Sequence, residues 1–156
     1  MEIRHDLRPG DLGRVTALHG VLYAGEHGFD IRFEAYVAGS LAEMAEAGRP
    51  DRDRLWLAED GGRLAGCIGM LGREGGQWQL RWFLVAPEAR GRGLGSRLLD
   101  LALGHAGTAS VHLWTVDPLV DAARLYGGRG FRLTEETPAK PLWGKTLREQ
   151  RYDRRG

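Results

Sequence analysis

A single cysteine, Cys67, stands in 156 residues, so neither an internal disulfide nor a thiolate metal cage is available. The five histidines never fall at H-x-x-x-H or H-E-x-x-H spacing, which removes the common zinc frames. Serine is scarce. Ser40, Ser96 and Ser110 are the only three, and none sits in a G-x-S-x-G frame, which argues against a serine hydrolase. Net charge is nearly absent, with 22 Lys plus Arg against 21 Asp plus Glu, so no global field draws in nucleic acid or an anionic membrane. No apolar run approaches the ~20 residues that cross a bilayer. The segment Met1–His5 has no apolar signal region, and with one cysteine this points to the cytoplasm. Internal repeats and low-complexity linkers are lacking too. The length fits one domain, taken as residues 1–150, while the mixed charges of 151–156 read as a frayed tail.

What is present is a mixture of helical and strand periods. Glu2 to Leu7 alternates as a short strand, and Asp11 is placed to cap the helix that follows. Leu12, Val15, Leu18, Leu22 and Tyr23 form one apolar stripe, interrupted around Gly25 to Gly28, and Phe33, Tyr36, Val37, Leu41 and Met44 form a second. Such stripes predict two helices. Residues 55–58 and 64–71 read as a hairpin about Gly61-Gly62, with Trp78 to Val85 as its next strand. Leu94, Leu98, Leu101 and Ala102 give a helix ending near 105–107. Val111 to Val116 is a strand, Leu119 to Tyr126 a short helix, and 131–135 and 142–148 two closing strands. Strand, helix, strand from Trp78 to Val116 implies a right-handed crossover and a parallel pair, inside a sheet otherwise built from hairpins.

The most specific stretch joins that strand to that helix: Val85-Ala86-Pro87-Glu88-Ala89-Arg90-Gly91-Arg92-Gly93-Leu94-Gly95-Ser96. Its glycines let a ligand approach the backbone, and the first amides of a helix starting near Gly93 have no intrahelical acceptors. With Arg90 and Arg92 they suit a diphosphate. A Walker loop requires Gly-Lys-Ser/Thr, and no lysine follows Gly95. A dinucleotide fingerprint requires G-x-G-x-x-G, whereas Gly91, Gly93 and Gly95 alternate. What remains is R-x-x-G-x-G, met by Arg90, Gly93 and Gly95, or glycines that merely permit a tight turn.

Leu84-Val85-x-Pro87-Glu88-x-Arg90-Gly91-x-Gly93-Leu94-Gly95, followed downstream by Ala123-Arg124-Leu125-Tyr126-x-x-x-Gly130-Phe131, resembles the GNAT superfamily of acyl-CoA-dependent N-acetyltransferases. His19 to Ala24 and Leu113-Trp114-Thr115 look like the acetyltransferase halves of proteins that fuse a MarR-type regulator to such a domain. The resemblance implies an α/β fold, α+β in some schemes: one GNAT domain with a mixed, mostly antiparallel sheet of six or seven strands, a splayed parallel central pair and about four helices. It implies acetyl-CoA as cosubstrate and a primary amine of a small molecule or protein as acceptor. Leu84, Val85, Arg90, Gly91, Arg92, Gly93, Leu94, Gly95 and Ser96 would hold the CoA, and Tyr126 would protonate the departing thiolate. Homodimers are common among such proteins. A non-catalytic acyl-CoA sensor is the alternative.

Two positions depart from the family pattern. Leu119 stands where many members have asparagine, and the strand Trp78–Val85 offers only Gln79 and Arg81 where relatives use a glutamate base. Glu26, in the break between the first two helices, is then a candidate base, with Asp30 and Glu34 nearby to attract a cationic amine. His27 and His112 are weaker alternatives. On its own pattern Tyr126 shares a helical face with Leu119 and Ala122, as a core aromatic would. Cys67, among Ala65, Gly66, Ile68 and Gly69, reads as a buried inert thiol.

Overall fold

The computed structural model describes residues 1–156. Nine strands and four helices follow in the order β1 (Glu2–Arg4), α1 (Asp11–His27), α2 (Ile31–Ala47), β2 (Arg54–Asp60), β3 (Arg63–Gly72), β4 (Trp78–Val85), α3 (Leu94–Ala106), β5 (Val111–Val116), α4 (Val120–Gly127), β6 (Arg132–Glu136), β7 (Lys140–Leu142), β8 (Lys145–Leu147) and β9 (Glu149–Arg154). Seven strands form one sheet in the order β1-β2-β3-β4-β5-β9-β6, and β7 and β8 form a separate hairpin. No helix is long and apolar enough to cross a membrane.

Period-two alternation splits the sheet's side chains between two helical layers. On one face Leu55, Leu57, Cys67 and Leu84 pack with Val15 of α1 and Phe33, Val37, Leu41 and Met44 of α2. On the other, Trp56, Ala58, Ile68 and Met70 pack with Leu94, Leu98, Leu99 and Ala102 of α3 and with Tyr126 of α4. Arg4 joins the first elements. Its buried guanidinium donates to Asp11 at 2.8 and 2.9 Å and also to Glu59 of β2. Asp11 is therefore not the cap expected of it: Gly10 occupies that position, and the Asp11 carboxylate takes Arg4 and the Arg8 backbone N–H.

Two irregularities in the middle of the sheet create the site. β4 and β5 are parallel, as expected, yet pair only at Trp78↔Val111 and Gln79↔His112. Beyond those residues the strands splay, leaving their facing edges free. The second irregularity lies where β3 meets β4. Cys67 pairs with Leu84 and Gly69 with Arg81, so Ile68 alone opposes both Trp82 and Phe83, which is a β-bulge on β4. Trp82 has φ 51°. The bulge swaps the faces of the strand: Trp78 and Leu80 face the α3 layer, whereas Trp82 and Leu84 face α1 and α2. Gly69 makes room for this, since a Cβ there would stand 2.4 Å from Trp82 Cε3.

Three further expectations need correction. Residues 151–154 are not part of a frayed tail, because 149–154 form β9, paired with β5 from Val111↔Arg154 to Val116↔Glu149 and with β6 on its other side. A strand hydrogen-bonded along both edges needs few apolar residues of its own, and Tyr152 packs into the core beside Tyr126. The closing strand expected over 142–148 is instead the hairpin of β7 and β8, turning at Trp143-Gly144. Helix α1 also continues through Gly25 to His27, so Glu26 lies in its last turn and the break is Gly28 to Asp30.

Candidate active site

The splay opens a cavity of about 490 Å³ between β4, the N-terminus of α3, and α4. Its floor is Leu84 and Val85, and its far end is the Arg90–Ser96 turn. Gly91 and Gly93 have φ of 76° and 77°, the left-handed conformation that glycine adopts without strain. No side chain caps α3 at Gly93, so its first amides face the cavity with the positive end of the helix dipole behind them. A negatively charged group is the natural complement.

Arg90 stands at this end in a bidentate pair with Glu26, at 2.8 and 2.9 Å, and donates to the Val85 carbonyl. That pair holds the Glu26 carboxyl below the ordinary glutamate range, chiefly through the hydrogen bond from Arg90. A carboxylate so stabilised is a weak base. Arg92, expected to join the anion site, does not line the cavity. Its guanidinium donates to the Glu88 carbonyl and approaches Asp60 at 3.7 Å. Leu119 sits at the N-cap of α4 and supplies no capping bond there. Asp30 is paired with its neighbour Arg32, and Glu34 packs against Gly20 of α1.

A second cavity, about 130 Å³, lies on the other side of the bulge between α1, α2, β4, β5 and the β7–β8 turn. Phe, Tyr and Trp rings make nearly half of its wall. Phe29 and Phe33 pack against Trp143 with centroids 5.3 and 4.9 Å apart, and Tyr36 stacks beside them at 5.6 Å. Trp143, at φ 51°, belongs to this wall, and the Asp30 N–H donates to its carbonyl at 3.0 Å.

The two cavities meet. Tyr23, Phe83, Leu119 and Ala122 line both. Tyr126, one turn beyond Ala122 on α4, borders the second cavity with its ring 6.0 Å from that of Phe83. It is 5% exposed, and its hydroxyl has no hydrogen-bond partner within the chain. Burial, with the Tyr23 hydroxyl adding to it, pushes its pKa well above the ordinary value. The Tyr126 hydroxyl is therefore a protonated donor across the neutral range.

Two side chains here were not singled out for the site from the sequence. His19 is 3% exposed and borders the second cavity. Its Nδ1 lies 2.8 Å from the Val15 carbonyl, which can only accept, so Nδ1 carries the hydrogen and Nε2 keeps a free lone pair. Burial pulls its pKa down to about 4, and the ring is neutral. Tyr23, one turn on, is partly buried, and desolvation raises its pKa. Asp11, Val15, His19 and Tyr23 recur every fourth residue, and that spacing was the signal for one inward face. His27 borders the first cavity. His112 stands on β5 beside Gln79, its pKa lowered mainly by burial. Cys67 is fully buried, its thiol pushed up to about 12 by desolvation and donating to the Trp82 carbonyl. No group of three or more His, Cys, Asp or Glu side chains is placed to hold a metal ion.

Comparison with known proteins agrees with this layout. The chain is 30% identical over 124 residues to an uncharacterized N-acetyltransferase of Schizosaccharomyces pombe, covering 77% of this chain and 76% of that one. It is 38% identical over 96 residues to the mycothiol acetyltransferase of Thermobispora bispora, covering 62% of this chain and 30% of the longer relative. Among solved structures, an aminoglycoside 6'-N-acetyltransferase complexed with coenzyme A superposes with a TM-score of 0.71 at 17% identity, over 99% of this chain and 96% of that one. The model of the acetyltransferase (GNAT) domain matches residues 51–133, which span β2 through the start of β6 and so include the bulge, the glycine turn and α4. By that match, and by the sheet that splays where the two cavities join, the chain belongs to the GNAT acetyltransferases.

Proposed function

We propose that the protein transfers an acetyl group from acetyl-CoA directly to the primary amine of a small molecule, in a ternary complex without a covalent enzyme intermediate. The observation that carries this reading is the meeting of two cavities of different chemistry at the β4 bulge. The longer one offers the α3 amides and Arg90 to a diphosphate. Along it, the edge of β4 that the splay leaves unpaired near Leu84 and Val85, where the Val85 carbonyl is held by Arg90 until a ligand displaces it, offers backbone groups to the amides of a pantetheine arm, like an added strand. The smaller one takes the acceptor.

In the reaction the amine nitrogen bonds to the thioester carbon, the carbon–sulfur bond breaks, and the proton lost by nitrogen balances the one gained by sulfur. The bulge turns backbone N–H groups near Phe83 out of the ladder, and a donor so placed stabilises the developing oxyanion. An ammonium entering an aromatic cavity is penalised by desolvation, so the cavity favours the free amine. His19 Nε2 accepts a hydrogen bond from an N–H of that amine, which leaves the amine nitrogen's own lone pair directed at the carbonyl carbon. The raised pKa of Tyr126 exceeds that of a thiol, about 8.5, so its hydroxyl stabilises the leaving thiolate mainly by donating a hydrogen bond. A reducing compartment such as the cytoplasm suits the free Cys67 thiol.

The test is thiol release on mixing acetyl-CoA with a broad amine panel, with Tyr126→Phe beside the wild type. The variant is expected to bind acetyl-CoA normally and to lose roughly 10²-fold in turnover. Normal acetyl-CoA binding with background thiol release across the whole panel would replace this reading by that of a non-catalytic acyl-CoA sensor.

A further inference from the structure

Arginine 81 is the unusual occupant of the aromatic cavity. It stands on β4 immediately before the bulge and lines the wall. Its guanidinium lies over the rings of Tyr36 and Trp82, 5.4 and 5.2 Å from their centroids, and donates once, to the Tyr36 hydroxyl at 2.7 Å. Five N–H donors are available on a guanidinium, and no carboxylate in the chain pairs with this one. The one acidic side chain in the same wall, Glu149, is occupied by Lys140. Arg73 lies close enough to add to the field: it donates to the neutral Gln79 side chain at 2.8 Å and has no ion pair. Burial and the charge of Arg81 together hold it below the ordinary arginine range. The carboxylates that could have drawn in a cation are occupied or directed elsewhere. Glu26 is bound to Arg90, Asp30 to Arg32, and Glu34 packs on Gly20.

A largely apolar cavity wall that carries a half-buried guanidinium paired with no carboxylate, and no free carboxylate of its own, is complementary to one kind of amine. Resting on the acetyltransferase reading, we infer that the acceptor is a small apolar amine that also bears a carboxylate, an apolar amino acid, with its carboxylate on Arg81 and its amine at the junction by Tyr23 and Phe83. Contact with the Tyr36 and Trp82 rings and the hydrogen bond to the Tyr36 hydroxyl restrict the guanidinium before the ligand arrives, and a planar fork matches a carboxylate with two parallel hydrogen bonds. The aromatic wall receives the side chain. Arginine here acts on recognition and takes no proton.

The experiment compares matched pairs that differ only in the carboxylate: L-leucine with isoamylamine, L-phenylalanine with phenethylamine, and L-methionine with 3-(methylthio)propylamine. Wild-type kcat/KM, read by thiol release, should favour the acid of at least one pair by tenfold or more. In Arg81→Gln that acid-to-amine ratio should collapse towards one, and Arg81→Lys should recover part of it. A wild-type preference for the decarboxylated amines, or a ratio that survives in Arg81→Gln, overturns the inference. Silence towards every acid and amine would count against the transferase reading, so the carboxylate site is also measured without turnover. Calorimetry with N-acetyl-L-phenylalanine should show at least tenfold weaker binding to Arg81→Gln than to wild type, and equal binding or none to either overturns the site.

Discussion

Gly95→Ala separates the two jobs of the glycine turn. Gly95 is the second residue of α3, and a Cβ built on it would meet Leu125 Cδ2 at 3.4 Å and Phe83 Cζ and Val85 Cγ2 at 3.6 Å. These are ordinary van der Waals distances, so the protein without ligand accepts the methyl. Alanine in place of glycine inside a helix adds about 0.5–1 kcal/mol, a rise of roughly 1–4 °C in Tm for a chain of this length. The three atoms that the methyl touches, however, belong to opposite walls of the larger cavity. A CoA arm threading between β4 and α4 must give way to it, and overpacking of that kind costs about 1–3 kcal/mol, or roughly 5- to 150-fold in affinity. Thermal unfolding and calorimetric titration with acetyl-CoA read the two effects on one preparation. The expected result is a variant that is more stable and binds more weakly. Undiminished affinity would refute the placement of CoA in this cavity, and a fall in Tm would refute the packing account of Gly95.

Glu26→Gln should lower KM for acetyl-CoA modestly, because it releases Arg90 from an exposed pair worth about 0.2–1 kcal/mol, and should change kcat by no more than about threefold; a hundredfold fall in steady-state kcat would restore Glu26 as the base. Stability should also depend on pH through His19. Its folded pKa of about 4 lies below the ordinary histidine value of 6.5, so the unfolded chain binds the extra proton as pH falls between the two. The contribution is nil above about pH 7, and the loss reaches on the order of 3 kcal/mol by pH 4. His19→Gln should flatten the denaturant midpoint over that window relative to wild type, and parallel curves would show that His19 is not buried as a neutral ring.

The sequence was most legible where the determinants are local. Trp78–Val85 and Val111–Val116 are short runs rich in apolar and aromatic residues, and both strands lie at those bounds. The glycine turn was legible because arginines, glycines and a helix start within a few residues imply an anion site without reference to anything distant. Arg92 escaped because spacing fixes a backbone position but not the direction of a long side chain. β9 escaped for the converse reason: Arg151-Tyr152-Asp153-Arg154 has no apolar run, and its place is set by β5 and β6 on either side. The aromatic cavity could not be assembled from the sequence, although the spacing of its tryptophans fits core or wall positions. Its wall draws on α1, α2, β4, β5, α4 and the β7–β8 turn, and only tertiary packing puts Phe29, Trp82 and Trp143 together. The bulge at Trp82 left no mark either, since Leu80-Arg81-Trp82-Phe83-Leu84 reads as an unbroken strand.

The strand order β5-β9-β6 bears on how the molecule is made. β6 touches the sheet only through β9, and β5 lacks a partner on that edge until β9 arrives. On a chain emerging from the ribosome, residues 111–136 therefore wait with open strand edges while the β7–β8 hairpin and then 149–154 are synthesised. The last insertion is a non-local pairing that must close on both sides at once, the kind of contact that slows folding and exposes edges to other chains in the interval.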